Sequence, residues 1–350
     1  MHRQYVKINP KNTNMIQGLF SVDEVTAMIR KGDSLLLAGD APLLSVLPKG
    51  KWIAGCTSLF IENGKSLVTT REKIFVHNMT DIAANVKLEV YDASTIQNIY
   101  DNAFENGFSV LIIPFHSDVK DEYAINCMNY SNFASRPVCG WISVTPFYTG
   151  DQNDVSLVFS GESGLSYDNA GVVMHIELPG KKYAELHTFN PYVPQRGDVI
   201  IFEENGVQAE NVLINGIRQN FRQYMIDWKI DRSPKTNNVL VGNYAGILIN
   251  TVILPEFENT NEKYVTLGNP VFKGIPYGFA KLNSDESYVK MQCIEDEIIF
   301  SFSCATNFVF PNDFVKYLTH TNGPFVFGEF VYFLLNNTTV YVTIGNNVSK

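Results

Sequence analysis

The first third of the chain alternates short apolar runs with amphipathic stretches of helical length. Ser21 and Glu24 have capping-box spacing, so the pattern predicts a helix from Ser21 to just before Gly32. SLLLAGD (34–40) reads as a short buried strand. A brief helix over 41–47 is stopped by Pro48 and Gly50, and WIAGCTSLFI (52–61) reads as a second apolar strand. KLEVYD (87–92) is a strand, and Ile96, Ile99, Tyr100, Ala103 and Phe104 then mark one helix face, which Gly107 ends. FSVLIIPF (108–115) is apolar almost throughout, as in a sheet covered on both faces. The run 87–115 therefore predicts a strand–helix–strand crossover. A helix over 118–129 and a strand over 138–146 are expected next.

From about residue 155 the pattern turns to β. SLVFSG, AGVVMHIELP and YAELHTF alternate with turn residues, and Pro179-Gly180-Lys181-Lys182 reads as a hairpin turn. DVIIFEENGV (198–207) is a strand and turn, followed by an expected helix over about 210–228. Residues 238–350 read mostly as strands, with one short helix near 312–318, and residues 1–14 as an extension or edge strand. The fold class expected is α+β, or mixed α/β, with two intimately packed halves (1–205 and 206–350). Mixed, largely antiparallel sheets would be flanked by helices.

Composition narrows the function classes. Hydrophobic residues make up 45% and charged residues 18% of the 350, enough for a large core. The net charge is −9, with no run of Lys and Arg longer than a pair, so nucleic acid is not an expected partner. No window reaches about 18 uninterrupted apolar residues, so no membrane span is expected. Cys56, Cys127, Cys139, Cys293 and Cys304 are odd in number and widely spaced. Together with an N-terminal segment lacking a signal-type apolar stretch, they suggest free thiols and a cytoplasmic location.

Reaction motifs are absent. There is no G-x-G-x-x-G after a strand, no phosphate-binding loop, no C-x-x-C and no H-E-x-x-H. Gly161-Glu162-Ser163-Gly164 falls one residue short of a nucleophile elbow and reads as a turn. Cys56 is the best nucleophile candidate, with His77 a partner base, against the plainer reading of a buried thiol. If the chain turns near residue 181, His175 and His187 fall opposite each other on paired strands, within reach of one metal or haem. Two histidines alone make an incomplete metal site, and two solvated side chains are the plainer reading.

Several short stretches, in order along the chain, resemble the FIST sensory domain, a bacterial and eukaryotic signal-transduction module with two halves. In NGPFVFGEFVYFLLNNTTVYVTI (322–344), Gly328 and Glu329 match the family's Gly-Glu. Asn337 with Thr338, or Asn336 with Thr338, match its later pair. Ser303 and Cys304 match a strand ending in Ser-Cys, while Asn307 stands where the family commonly has Arg. NPVFKGIPYGFAKL (269–282) and VIIFEENGVQAENVL (199–213) are similar to upstream segments of the C-terminal half, and WIAGCTS (52–58) to a Gly-Cys-Ser/Thr turn in the N-terminal half. The resemblance implies a non-catalytic sensor that binds a small metabolite, such as an amino acid, between its halves and signals to a separate protein partner. It implies a site where Gly55, Cys56, Thr57 and Ser58 approach Cys304, Gly328, Glu329 and Asn337, with Glu329 suited to an amine. No cofactor is expected. The alternatives are a cysteine-dependent enzyme using Cys56 and a haem-binding gas sensor using His175 or His187.

Overall fold

The computed structural model describes residues 17–62, 66–144, 156–227, 238–254, 263–283, 298–309 and 321–346. The terminal segment 1–14, the expected helix at 312–318 and Cys293 lie outside them.

The first helix forms as its sequence demands. It spans Val22–Lys31, and Ser21 and Glu24 cap it reciprocally: Ser21 N–H donates to the Glu24 carboxylate at 2.8 Å, and Glu24 N–H to Ser21 Oγ at 3.4 Å. Such a cap contributes about 1 kcal/mol. Gly32 ends the helix in the left-handed region, φ 93°.

The helix covers one face of a six-stranded sheet ordered Gln17–Phe20, Ile74–Asn78, Leu35–Gly39, Trp52–Cys56, Val158–Ser160, Leu165–Tyr167. Leu35–Gly39 and Trp52–Cys56 are parallel neighbours joined through the short helix Ala41–Ser45. The two-residue period of a strand sorts their side chains. Leu35, Leu37, Trp52, Ala54, Cys56, Ile74 and Val76 pack with Val25, Ile29, Ala41 and Leu44 under the helices. Leu36, Ala38, Ile53 and Phe75 enter the main core with Val110, Ile112 and Trp141.

Those last residues belong to a second sheet, ordered Phe333–Leu335, Glu329–Val331, Val138–Ser143, Gly107–Pro114, Gly171–Glu177, Asn85–Tyr91. A third is ordered Lys182–Phe189, Thr339–Asn346, Ile298–Cys304, Gly323–Val326, Leu59–Glu62, Ser66–Thr69. Strands from before and after residue 205 thus share both sheets. A further sheet joins Ile217–Asn220, Asn211–Ile214, Ile200–Phe202, Pro276–Leu282, Val239–Tyr244 and Ile247–Val252. The fold is mixed α and β, with mostly antiparallel sheets and few helices.

Four local expectations need correction. The strands Asn85–Tyr91 and Gly107–Pro114 are not adjacent, because Gly171–Glu177 inserts between them, antiparallel to both. The helix expected between them shrinks to one 3₁₀ turn, Ile96–Asn98. There the Asp92 carboxylate accepts from the Ser94 and Thr95 amides and hydroxyls, which offers the backbone a local turn instead of a helix. Next, the strands on either side of Pro179–Lys182 do not pair. Lys182–Phe189 pairs with Thr339–Asn346 in another sheet, while Asn106 holds Leu178 against the second sheet through two hydrogen bonds of 2.8 Å.

The helix expected over 210–228 is a hairpin, Asn211–Ile214 with Ile217–Asn220, followed by a short helix Phe221–Asp227. Asn215 (φ 50°) and Gly216 (φ 84°) occupy the two left-handed positions of the tight turn that an Asn-Gly pair favours. Lastly, the apolar run 52–61 splits at Thr57-Ser58, where the chain leaves the first sheet for the third.

Candidate functional site

Three C-terminal segments converge inside the molecule. Glu329–Val331 lies antiparallel to Val138–Ser143, with Glu329 opposite Trp141. Directly opposed side chains project from the same face of a sheet, so Glu329 and Trp141 enter the same interior. Gly328 makes the approach possible: its φ is 133°, a Cβ there would lie 3.1 Å from Ile142 Cγ1, and its carbonyl accepts from Ile142 N–H at 2.7 Å.

Glu329 is 0% exposed. Its Oε1 accepts from the backbone N–H of Thr338 at 2.8 Å and from the Thr338 hydroxyl at 2.7 Å. Its Oε2 has no partner. Burial pushes the carboxyl up to about 8 against the downward pull of the Thr338 bonds and, more weakly, of the Cys304 thiol, so it is largely protonated at neutral pH.

Cys304 ends its strand beside this carboxyl. Its N–H donates to Thr338 O at 2.9 Å, and the Thr306 hydroxyl donates to its Sγ at 3.1 Å. Burial, with the nearby Glu329 carboxyl, pushes the thiol up to about 12. Asn337 closes the ring by donating from Nδ2 to Thr306 Oγ1 at 2.8 Å, while its buried Oδ1 has no partner. Asn307, at the position where an Arg was the family expectation, donates to Thr338 O at 3.4 Å. The segment also holds two non-glycine residues in the left-handed region, Tyr332 (φ 61°) and Asn337 (φ 59°). Such positions cost on the order of 1 kcal/mol or more and persist where surrounding contacts impose them.

The N-terminal residues divide. Gly55 faces the same interior: a Cβ there would come within 2.8 Å of Trp141 Nε1 and 2.7 Å of Ile112 Cγ2, so only glycine admits the indole. Trp141 packs on Phe302 with 5.3 Å between ring centroids, and its Nε1–H is buried without a partner. The Thr57 hydroxyl donates to Phe325 O at 2.7 Å, one residue before Val326, the strand partner of Cys304. Ser58 Oγ is buried and unpartnered. Cys56 points away, into the core beneath the helices, while its N–H donates to Ser143 Oγ at 2.6 Å. Burial pushes its thiol up to about 11. Cys304, Glu329 and Asn337 therefore form one network, Gly55 borders it through Trp141, and Cys56 does not join it.

The other candidates come apart. His77 lies on the opposite face of the first sheet from Cys56, between Phe75 and Phe300, so it cannot act as that thiol's base. Burial pulls His77 down to about 3, and the Ser301 carbonyl opposes the shift without reaching hydrogen-bond geometry. His175 and His187 occupy different sheets, which removes the geometry for a shared metal or haem. His187 is half-buried, stacks on Tyr341 and contacts Thr343 Oγ1 at 3.0 Å. His175 is 0% exposed. Its Nδ1 meets Ser109 Oγ at 2.7 Å, and its Nε2 meets Glu89 Oε2 and Tyr91 Oη, both at 3.3 Å.

This order of Ser, His and acid imitates a catalytic chain, but Ser109 is 0% exposed within the sheet and no substrate carbonyl could reach it. Burial holds His175 below its ordinary range, hence neutral. Burial would raise Glu89, yet hydrogen bonds from His175, Tyr91 and Lys87 prevail and bring it to about 2. Gly161–Gly164 is the turn expected, between Val158–Ser160 and Leu165–Tyr167. Among the described residues, no group of three or more His, Cys, Asp or Glu could hold a metal ion.

Sequence reasoning missed Trp141, Thr306 and Thr338 as members of the network. Thr338 carried a usable signal, since it adjoins Asn337 in the matched pair. Trp141 carried none, because its role depends on which strand lies beside it.

A family model described as a family of unknown function (DUF6976) matches residues 20–345. No curated protein matches the chain.

Proposed function

The chain belongs to the family of unknown function DUF6976, and we propose that it is a cytoplasmic small-ligand sensor without catalytic activity, its site the buried centre around Glu329, Cys304 and Asn337. Glu329 Oε2 carries the reading: it is a fully buried carboxyl oxygen without a partner. Trp141 Nε1 and Asn337 Oδ1 are buried and unpartnered in the same part of the core. A buried polar atom left unsatisfied costs about 1–3 kcal/mol, so three together favour a polar guest. Two can donate and one can accept while Glu329 is protonated. That set suits a small polar metabolite, and an amino acid supplies both an ammonium for Asn337 Oδ1 and a carboxylate for the indole N–H and the Glu329 O–H. The ordered resemblance to the FIST module supports the same residues, and a separate protein would receive the signal.

The cysteine-dependent alternative has less support. Thiols pushed up to about 11 and about 12 are protonated at neutral pH. No helix among the described residues is long and apolar enough to cross a membrane.

The test is a thermal-shift screen of the twenty amino acids at millimolar concentration, on the wild type and on Glu329→Gln. A ligand at about 100 times its Kd stabilises by about 2.7 kcal/mol, which is several degrees in Tm. The reading expects one or a few amino acids to raise the Tm of the wild type and to lose that effect in the variant. No shift with any of them, or equal shifts in both proteins, would contradict it.

A further inference from the structure

A surface cleft lies apart from the buried centre. A cleft of about 490 Å³ opens between the loop carrying Lys49, Gly50 and Lys51 and the sheet-edge strand Asn85–Tyr91, which contributes Val86, Lys87 and Leu88; Glu162 completes the lining. The cleft thus sets two exposed lysines, Lys49 and Lys51, against one acid on a chain of net charge −9. Lys87 stands between Val86 and Leu88 on its strand, so its side chain turns to the opposite face, and the free charges at the cleft are Lys49 and Lys51; a bound anion relieves the repulsion between them.

The loop is rigidly held. Trp52 Nε1–H donates to Pro48 O at 2.8 Å. Gly50 N–H donates to Gly161 O at 2.9 Å, and Gly161 N–H returns the bond to Trp52 O at 2.7 Å. Neither glycine could be replaced without collision. A Cβ on Gly50 would lie 2.4 Å from Ile29 Cγ2, and one on Gly161 2.5 Å from the Trp52 ring. The Lys49 stem rests against Gly164, whose φ is 70°. The lysines are therefore presented from a fixed backbone, which lowers the entropy cost of gathering them around a guest.

Their charges differ in availability. Lys87 Nζ donates to Asn102 O at 2.6 Å and pairs with Glu89 at 3.1 Å. Lys49 and Lys51 form no ion pair among the described residues and are exposed. Val86 and Leu88 add an apolar wall.

We propose that this cleft binds a small multivalent anion bearing phosphate or carboxylate groups, held by Lys49 and Lys51, with its carbon skeleton against Val86 and Leu88. Glu162 is the one acid in the lining and opposes binding.

The test is calorimetric titration at low ionic strength with two probes, inorganic pyrophosphate and citrate. Saturable binding of either supports the site, and the tighter one identifies the preferred group. The double variant Lys49→Gln/Lys51→Gln should weaken binding about tenfold or more, with an unchanged circular dichroism spectrum. Glu162→Gln should strengthen it several-fold. Raising salt should weaken binding, as expected for exposed charges. Failure of both probes to bind, binding indifferent to the double variant, or no gain in Glu162→Gln would overturn the proposal.

Discussion

Thr338 holds one oxygen of Glu329 twice, through its amide at 2.8 Å and its hydroxyl at 2.7 Å, and leaves the other oxygen bare. An acid fixed on one side, with only the Cys304 thiol beside it otherwise, leaves Oε2 open to a further partner. Its burial makes several consequences measurable.

Stability should depend on pH through this residue. The folded carboxyl titrates at about 8, whereas in the unfolded chain it titrates in the ordinary carboxyl range. Between the two, unfolding releases a proton, so the contribution of Glu329 is greatest at low pH and is lost as pH rises through the folded value. In that window the wild type should lose up to about 1.4 kcal/mol per pH unit relative to Glu329→Gln. Urea denaturation of both proteins at several pH values checks this; parallel curves would show that the carboxyl is not held neutral.

Removing the Thr338 hydroxyl isolates half of the clamp. Thr338→Val keeps the amide bond and the side-chain volume but leaves Oε1 with one donor, at a cost of about 1–2 kcal/mol. The loss should be similar in the Glu329→Gln background at neutral pH, where the carboxyl is neutral, and larger in the wild type once pH rises past about 8 and the acceptor is charged. A double-mutant cycle by chemical denaturation measures the difference.

Gly55 should tolerate no side chain. The Cβ of Gly55→Ala would sit 2.7 Å from Ile112 Cγ2 and 2.8 Å from Trp141 Nε1. Overpacking of this kind costs about 1–3 kcal/mol. The variant should melt lower than the wild type and lose any response to the ligand that Trp141 helps to hold.

At the surface, Gly216→Ala tests the hairpin that replaced the expected helix. Nothing lies within 4 Å of the added methyl, so only the left-handed backbone (φ 84°) resists it. A loss of about 1 kcal/mol in denaturation is expected; a gain in stability would indicate a helix there.

Cys56, Cys127, Cys139 and Cys304 are free and buried. They should resist thiol reagents in the native protein and react fully once it is unfolded without reductant. Rapid native reaction at Cys304, located by peptide mapping, would mean that its surroundings open readily.

Much of the N-terminal fold was legible because its signals are local. Ser21, Glu24 and Gly32 carry the first helix within their own turn, and the apolar run around Val110 needs only burial on both faces to become a strand. The errors fell where a partner distant in sequence decides. AGVVMHIELP looks like half of a hairpin with YAELHTF, yet Gly171–Glu177 pairs with Gly107–Pro114 instead. With that register the supposed pairing of His175 and His187 disappears. Asn215-Gly216 was a local signal available to reading, and the helical spacing around it outweighed it wrongly.

The candidate site was half legible. Glu329 and Asn337 were named from one matched stretch and Cys304 from another, and the three meet through Thr338 and Thr306. Cys56 was named on the same ground and faces away, since a strand turns each successive side chain to the opposite face. Trp141 enters only through the pairing of its strand with Glu329–Val331, which no local pattern announces.

The most direct measurement is a crystal structure grown with an amino-acid mixture, at a resolution that separates ordered water from larger molecules. The account predicts density for a molecule larger than water within hydrogen-bond distance of Glu329 Oε2 and Trp141 Nε1. Water alone there, or closed packing with both atoms still bare, would contradict it.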